Sequence, residues 1–420
     1  MSIAKKSYSH MRCGLLGEHL GHSFSPQIHA QIADHSYELI EVSPDKVEDF
    51  VKNNTLDAYN VTIPYKKTVI PYLDVISDEA MAIGAVNTVV RRDGKLYGYN
   101  TDYFGFDYML TSSGISPKGK KALVLGRGGA SATVCAVLRD RGADEICVLG
   151  SKDNTKENIL KNSDAEIIVN ASPVGMYPNN SISPVDISLF PKLCGVLDLI
   201  YNPSLTELLL AAESRNIAYS GGLSMLAAQA VKAFEFFTND KADENICDQI
   251  VQSVAAQTQN IILVGMPACG KSTVGKTLAK ITGRQFFDAD DVFCNMHGVT
   301  PADTITSKGE EAFRLMEHEV LCELGKKSSA VIACGGGAVT KEYNYSPLHQ
   351  NGVIVFIERD LDKLTTNGRP ISQKTSPKEL YKKRIDAYHR FADIEIKSTE
   401  VPELTAKAIL DALSKHRYVR

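Results

Sequence analysis

The most constraining stretch of this chain is Gly265-Met266-Pro267-Ala268-Cys269-Gly270-Lys271-Ser272-Thr273. It satisfies G-x-x-x-x-G-K-[ST] at every fixed position. A short apolar run, Ile261 to Val264, precedes it, and residues Thr273 to Lys280 after it read as a helix. A loop between a buried strand and a helix N-terminus wraps a phosphate chain in backbone N–H groups. Pro267, Ala268, Cys269, Gly270, Lys271, Ser272 and Thr273 are therefore expected to bind ATP. Lys271 would reach the β/γ-phosphates and the Ser272 hydroxyl would hold Mg²⁺. A ligand-free glycine-rich turn has no need of those strand and helix flanks.

Residues 1–264 lie ahead of this loop, and 420 residues exceed what one core usually serves, so two to three domains are expected. Charged residues are 23% and the net charge is −4, which leaves no electrostatic footprint for nucleic acid or an anionic membrane. No apolar run approaches the ~18 residues of a membrane span. Met1 to Arg12 is polar and basic with no apolar core behind it, so no signal peptide is expected. Nine cysteines without a C-x-x-C pair point to a reducing, cytoplasmic setting, with neither a disulfide framework nor structural zinc.

In the first hundred residues, Gly14 to Gly17 ends a strand that runs into Gly21-His22-Ser23-Phe24-Ser25-Pro26 and a helix to Asp34. Ser23 and Ser25, two apart on an extended loop, can grip one carboxylate or polyol; capping of the helix by Ser25 ahead of Pro26 is the simpler reading. Asn60-Val61-Thr62-Ile63-Pro64-Tyr65-Lys66 puts Asn60 and Thr62 on one face of a strand end, with Lys66 opening a helix. Gly84-Ala85-Val86-Asn87-Thr88 leads through a hairpin at Arg92-Asp93-Gly94 to Gly98-Tyr99-Asn100-Thr101-Asp102. Each motif alone is ambiguous.

Further on, the strand Lys121 to Leu125 enters Gly126-Arg127-Gly128-Gly129-Ala130-Ser131-Ala132. This turn admits a pyrophosphate against backbone amides, although Ala132 stands where the dinucleotide pattern has its last glycine. Strands are also expected over 145–149, 166–170 and 195–199. Gly221-Gly222-Leu223-Ser224-Met225 opens a helix that carries Gln229, and an amphipathic helix over 243–257 closes the region.

In this order the motifs resemble shikimate dehydrogenase over about residues 12–256. The resemblance implies that Ser23, Ser25, Asn60, Thr62, Lys66, Asn87, Asp102 and Gln229 surround shikimate, with Lys66 and Asp102 the catalytic pair. It implies NADP(H) held by Gly126, Gly128, Gly129, Ala130, Ser131, Asn170, Ser172, Gly222 and Met225. The chemistry suits these residue types. Reducing a ketone needs a hydride and a proton, which a partly buried lysine can donate near neutral pH, and a carboxylate can position the ammonium.

Two departures stand out. Between Gly150 and Asn170 there is room for one short helix, where the family usually has an extra strand and helix. The Asn-Arg-Thr run that usually selects NADP is replaced by Gly150-Ser151-Lys152, leaving Ser151 and Lys152 to meet the 2′-phosphate. Dual use of NAD and NADP through Asp153 is the alternative.

After the phosphate loop, Asp288 and Asp290 end a strand, Asp288 suited to Mg²⁺ and Asp290 to an acceptor hydroxyl. Arg314 lies on a helix, Gly335-Gly336-Gly337 follows a strand as an open backbone surface, Arg369 sits in a polar segment suited to a lid, and Arg384 falls on a late helix. These motifs resemble shikimate kinase over about 260–415. The resemblance implies that Asp290, Arg314, Gly335, Gly336, Gly337 and Arg384 hold shikimate, the two arginines clamping its carboxylate, while Arg369, with Lys271, acts on the transferring phosphate. The lid is short, and Thr365-Thr366-Asn367 lacks the usual adenine-stacking arginine.

The expected architecture is α/β throughout. Residues 1–102, completed by helices from 222–257, would form a substrate-binding domain and 103–221 a Rossmann-like NADP-binding domain. Residues 258–260 would link these to a P-loop kinase domain with a parallel sheet at 261–420. Both halves would then act on one small molecule, first reducing 3-dehydroshikimate and then phosphorylating shikimate. The alternatives are a quinate-preferring dehydrogenase fused to another small-polyol kinase, or one half serving as a catalytically silent ligand sensor.

Overall fold

The computed structural model describes residues 7–21, 23–364 and 376–418, organised on three sheets. The first comprises β1 (Ser7–Gly17), β2 (Asp34–Glu41), β3 (Ala58–Val61), β4 (Val75–Ile76), β5 (Thr88–Arg92) and β6 (Lys95–Tyr99), in the order β2-β1-β3-β5-β6-β4. The expected hairpin joins β5 to β6. Asp93 (φ 50°) and Gly94 (φ 75°) both take the left-handed conformation that matches the twist of paired strands. β1 lies between parallel neighbours β2 and β3, and this brings Asn60 beside Leu15 near the carboxyl edge of the sheet.

The second sheet is wholly parallel: β7 (Lys121–Leu125), β8 (Glu145–Leu149), β9 (Ile167–Asn170), β10 (Gly195–Asp198) and β11 (Ala218–Gly221), ordered β11-β10-β9-β7-β8. β9 and β10 are buried along their whole length, as a sheet covered on both faces requires. Only the helix Lys156–Lys161 separates β8 from β9, in line with the trimmed segment expected there.

One difference from the sequence reading concerns the first domain boundary. The helix Thr101–Ser113 begins one residue before the expected boundary at 102 and continues across it. Its Phe106, Met109 and Leu110 join the core under the second sheet together with Met225 of the helix Gly222–Thr238. That second helix gives Leu223, Ala227 and Val231 to a cluster with Ile28 and the closing helix Ile246–Thr258. The two long helices thus tie the first two sheets together, each buried large side chain contributing about 1.5–3 kcal/mol.

The third sheet, also parallel, has β12 (Asn260–Val264) at its centre, with β13 (Gln285–Asp288), β14 (Ala330–Ala333), β15 (Gly352–Glu358) and β16 (Ile394–Lys397) in the order β13-β14-β12-β15-β16. All five residues of β12 are buried, so the phosphate loop springs from a central, wholly buried strand. Only Gln259 separates β12 from the closing helix.

This last unit docks on the loops 177–180 and 204–205 of the second domain through polar contacts. Leu205 N donates to Gln350 O (2.8 Å), Tyr177 Oη to Gly325 O (3.0 Å) and Gln350 Nε2 to Asn180 O (3.0 Å). At the centre His349 is buried between Glu213 Oε2, 3.7 Å from its Nε2, and Asp393 Oδ2, 3.4 Å from its Nδ1. Nδ1 is not aligned for a hydrogen bond, so that contact is an ion pair without one. Burial opposes the imidazolium, yet the two carboxylates outweigh it and raise His349 from 6.5 to about 9. A raised folded value gives stability that is fully present below about pH 6.5 and lost as pH rises through about 9. The shift corresponds to about 3 kcal/mol. The expected result is a steeper fall in melting temperature between pH 7 and 10 for the wild-type chain than for His349→Gln. Parallel curves would show that the histidine does not titrate there.

All nine cysteines are free thiols. Among the described residues no helix is long and apolar enough to cross a membrane.

Candidate active sites

A cavity of about 510 Å³ opens between the carboxyl edge of the first sheet and the N-terminal turn of the helix Gly222–Thr238. Ser23, Ser25, Asn60, Thr62, Lys66, Asn87, Asp102 and Gln229 all line it, together with Ala130, Gly222 and Met225 from the nucleotide side. Residues as far apart in the chain as Ser23 and Gln229 therefore face one space. Lys66 Nζ lies 2.5 Å from Asp102 Oδ2, both side chains largely but not wholly buried. An ammonium held by one carboxylate keeps further N–H groups to donate into the cavity.

Around this pair the polar groups are pre-oriented. Asn87 Oδ1 accepts from Thr101 N (2.7 Å), which turns its amide nitrogen toward Gln229 Oε1 at 3.5 Å. Ser23 Oγ donates to Ser25 Oγ (3.1 Å), so the two hydroxyls do point the same way. The capping expectation for Ser25 is corrected. Phe24 occupies the cap position without a side-chain cap bond, and Ser25 lies inside the first turn of the helix Ser25–Ile32, its N–H taken by Ser23 Oγ (3.2 Å). Its hydroxyl is thereby left to the cavity.

Two residues here had not been singled out. Tyr37, half-buried on β2, donates to Asn60 Oδ1 (2.8 Å) and stacks on His29 with centroids 3.8 Å apart. Burial holds the Tyr37 phenol well above and the His29 imidazole well below their usual ranges, so both are neutral props. Tyr201 lines the cavity with its ring against Phe24. An aromatic residue just beyond a strand end, after Asp198, was the only sequence signal for Tyr201.

The glycine-rich turn leaves β7 beside β9. Gly126 has φ +120°, and a Cβ there would sit 2.6 Å from Ala171 O. Only glycine permits that approach, which opens the backbone of Gly128, Gly129, Ala130 and Ser131 to a pyrophosphate. The residues thus fit a dinucleotide. Asn170 is a correction. Its side chain is fully buried, donating to Asp198 Oδ1 (3.0 Å) and Val174 O (3.1 Å) and accepting from Ser172 Oγ (2.7 Å). That side chain braces the turn, so only the Asn170 backbone is left to a cofactor. Ser151 and Lys152 are exposed in the turn after β8. Close by, Arg127 reaches Asp153 with Nη1–Oδ2 at 2.8 Å, a pair missed because Arg127 occupies a variable position of the glycine-rich loop.

A second cavity, of about 770 Å³, lies over the carboxyl end of the third sheet. Pro267, Ala268, Gly270, Lys271, Ser272, Thr273, Asp288, Asp290, Arg314, Gly335, Gly336, Gly337 and Arg384 line it. Cys269 is instead buried beneath the loop, its Sγ 3.8 Å from Lys271 Nζ, so it offers only backbone. Arg369 lies outside the described residues. Lys271 is buried and donates to Gly265 O (2.9 Å) and Met266 O (3.0 Å), and among the described residues no carboxylate pairs with it. A buried ammonium balanced only by carbonyls fits an incoming polyphosphate. Ser272 Oγ donates to Asp288 Oδ2 (2.5 Å), which sets a hydroxyl and a carboxylate side by side, as Mg²⁺ requires.

The glycine run is less open than expected. A Cβ on Gly336 would meet Pro267 Cγ at 2.6 Å, and one on Gly337 would meet Arg314 Nη2 at 2.2 Å. The run is therefore packed onto the phosphate loop and the arginine at once. Arg314 is buried, with Nη1 2.7 Å from Glu317 Oε2 and Nη2 3.0 Å from Glu310 Oε1, while its Nε has no partner among the described residues. Burial raises the Glu317 carboxyl against the pull of Arg314; Arg314 itself is lifted by Glu317 and Glu310 in spite of burial. Arg384 donates to Gly336 O (2.9 Å), and burial and then Arg314 lower its affinity for the proton. Arg314 is thus already paired with two carboxylates, whereas Arg384 meets a backbone carbonyl and keeps donors for an anion. Glu317 was not singled out, although it lies three residues after Arg314 on a helix whose Phe313, Val320 and Leu321 are core.

Comparison with known proteins gives the same division of the chain. Residues 15–89 match the family model described as shikimate dehydrogenase substrate binding domain, and residues 267–414 match that described as shikimate kinase. Shikimate dehydrogenase (NADP(+)) of Clostridium beijerinckii is 38% identical over 253 residues, which are 56% of this chain and 94% of that protein. Among solved structures, shikimate dehydrogenase 1 of Peptoclostridium difficile is 40% identical with a TM-score of 0.53, covering 58% of this chain and 97% of that one. The Thermus thermophilus enzyme in complex with NADP(H) and shikimate is 32% identical with a TM-score of 0.52, covering 58% and 99%.

Proposed function

Because the chain belongs to the shikimate dehydrogenase family and continues into a shikimate kinase domain, we propose that its two cavities act in succession on one molecule. The protein is a bifunctional shikimate-pathway enzyme that reduces 3-dehydroshikimate with NADPH and then phosphorylates shikimate with ATP and Mg²⁺. The observation that carries the first step is the Lys66–Asp102 pair, set in a cavity whose opposite wall is the nucleotide-binding helix. Its partners are small molecules, and nine free thiols suit a reducing cytoplasm.

In the first cavity bound NADPH would supply the hydride to the ketone carbon. Lys66 donates a proton to the oxygen as it gains negative charge, and Asp102 holds the ammonium in line. Ser23 and Ser25 orient the substrate carboxylate, while Asn60, Asn87 and Gln229 orient its hydroxyls. Lys66 is then reprotonated from water.

In the second cavity bound MgATP would supply the phosphoryl group. Asp290 takes the proton of the attacking shikimate hydroxyl, and Lys271 balances charge on the phosphate oxygens. Ser272 and Asp288 would hold Mg²⁺. Arg314 and Arg384 clamp the carboxylate, and Arg369 would serve the phosphates. The sensor alternative is disfavoured by the coexistence of Lys66, Asp102, Lys271 and Asp290 within cavities of suitable size.

A coupled assay tests this reading: with 3-dehydroshikimate, NADPH and ATP, one preparation oxidises NADPH and then forms ADP. Consumption of NADPH with quinate-series substrates only, or ADP formation indifferent to shikimate, would overturn it. For the clamp, Arg384→Ala is expected to raise KM for shikimate. Removing one partner of a desolvated pair costs about 3–5 kcal/mol, roughly a hundredfold or more. An unchanged KM would mean that the carboxylate binds elsewhere.

A further inference from the structure

The turn after β8 lacks the arginine that usually meets the adenosine phosphate, yet the structure brings a guanidinium there from another loop. Arg127, second residue of the glycine-rich turn, lies across the end of the neighbouring strand. A Cβ on Gly150 would stand 3.1 Å from Arg127 Cδ and 3.3 Å from Cγ, so the arginine stem lies closely against the bare backbone of Gly150. Its Nη2 donates to Val148 O (3.3 Å) and its Nη1 pairs with Asp153 Oδ2 (2.8 Å), while the side chain remains 62% exposed. In a parallel nucleotide-binding sheet the adenosine ribose rests against the end of the second strand. A carboxylate there accepts from the 2′-hydroxyl, and an arginine accommodates a 2′-phosphate. β8 is that strand, paired in parallel with β7, whose end carries the glycine turn.

We propose that Arg127 is the residue that reads the 2′-phosphate of NADP(H), with Asp153 as the counter-charge that the phosphate displaces. The proposal rests on the dehydrogenase reading of this cavity. The guanidinium is a planar fork with several donors, suited to two phosphate oxygens at once. Asp153, intramolecular but offering a single carboxylate, holds the fork over the ribose site when no phosphate is present. A phosphate of charge near −2 competes with it for Arg127, whereas a 2′-hydroxyl leaves the pair intact and can donate to Asp153. One pair thus bears on both coenzymes, and Arg127 sets the preference. Lys152, exposed on the same turn, adds a point charge without the fork.

Two measurements on the full chain test this. Isothermal titration with 2′,5′-ADP and with 5′-AMP reads phosphate recognition without turnover. The ratio of kcat/KM for NADPH over NADH reads it in the reaction. A charge-assisted hydrogen bond of about 1.5–3 kcal/mol corresponds to roughly 10- to 100-fold. Arg127→Ala is expected to reduce both the 2′,5′-ADP over 5′-AMP affinity ratio and the coenzyme ratio by that factor. Arg127→Lys should retain part of each, and Asp153→Asn should raise both. Equal affinity of the wild type for the two nucleotides would overturn the proposal. So would ratios unchanged by Arg127→Ala but lost in Lys152→Ala. Failure of both coenzymes to reduce 3-dehydroshikimate would instead count against the dehydrogenase reading, and the titration would still score Arg127.

Discussion

Replacing Lys66 with alanine is expected to remove shikimate formation while phosphorylation of supplied shikimate continues near the wild-type rate. A positioned general acid contributes about 10²–10⁴-fold, and among the described residues Lys66 is the one cationic side chain lining the first cavity. The change also leaves Asp102, a buried carboxylate, without its ammonium. Lys66→Met, which keeps the apolar stem, controls for lost packing, and Lys66→Ala combined with Asp102→Asn removes the orphaned charge. Initial rates of NADPH oxidation and of shikimate-dependent ADP release, taken on one preparation, decide the matter. Loss of both activities in a folded variant would show that the two cavities are catalytically coupled. Survival of NADPH oxidation would move the proton donor elsewhere.

Lys271→Ala is expected to have the converse effect, stopping phosphoryl transfer with the dehydrogenase rate unchanged. Removing a preorganised cation from a transferring phosphate costs roughly 10²–10³-fold or more. Lys271 also ties down its own loop through Gly265 O and Met266 O, so the variant loses order in the loop as well as charge. Lys271→Arg retains charge and donors on a larger planar group, so a rate loss there would show that the compact ammonium is required and not positive charge alone. A normal kcat in Lys271→Ala would remove this lysine from the transfer step.

The buried sites differ in how far the chain reveals them. The phosphate loop could be read directly because its chemistry is local: backbone amides, one lysine and one hydroxyl, all within Gly265 to Thr273. The hairpin at Asp93-Gly94 and the strands β7, β8, β9, β10 and β12 were legible for the same reason, since period, glycine and turn preference act over a few residues, whereas β11, β15 and β16 were not read from the sequence. The helix through Asp102 was not, because its apolar residues serve the core of one domain while its first turn serves the cavity of another. Ser25 was misassigned for a related reason: a serine before Pro26 suits a cap, and only the observed start of the helix frees its hydroxyl for the cavity.

By itself the amino-acid sequence determined the α/β class, the order of the two enzymes, the phosphate loop, and the residue types gathered in each cavity. Tertiary structure alone decided which of those groups meet. Tyr37 supports Asn60 only because β1 lies between their strands, with Cys13 opposite both Tyr37 and Ala58. Arg127 reaches Asp153 only because β7 and β8 run in parallel register. Gly336 joins Arg384 to the phosphate loop only after the third sheet has brought β14 beside β12. His349 acquires its carboxylates from Glu213, across the docked surface, and Asp393, beyond β15. Short-range preference sets what a segment becomes, whereas the pairing of distant side chains depends on strand order and helix packing, whose closure entropy and burial energy belong to the whole chain.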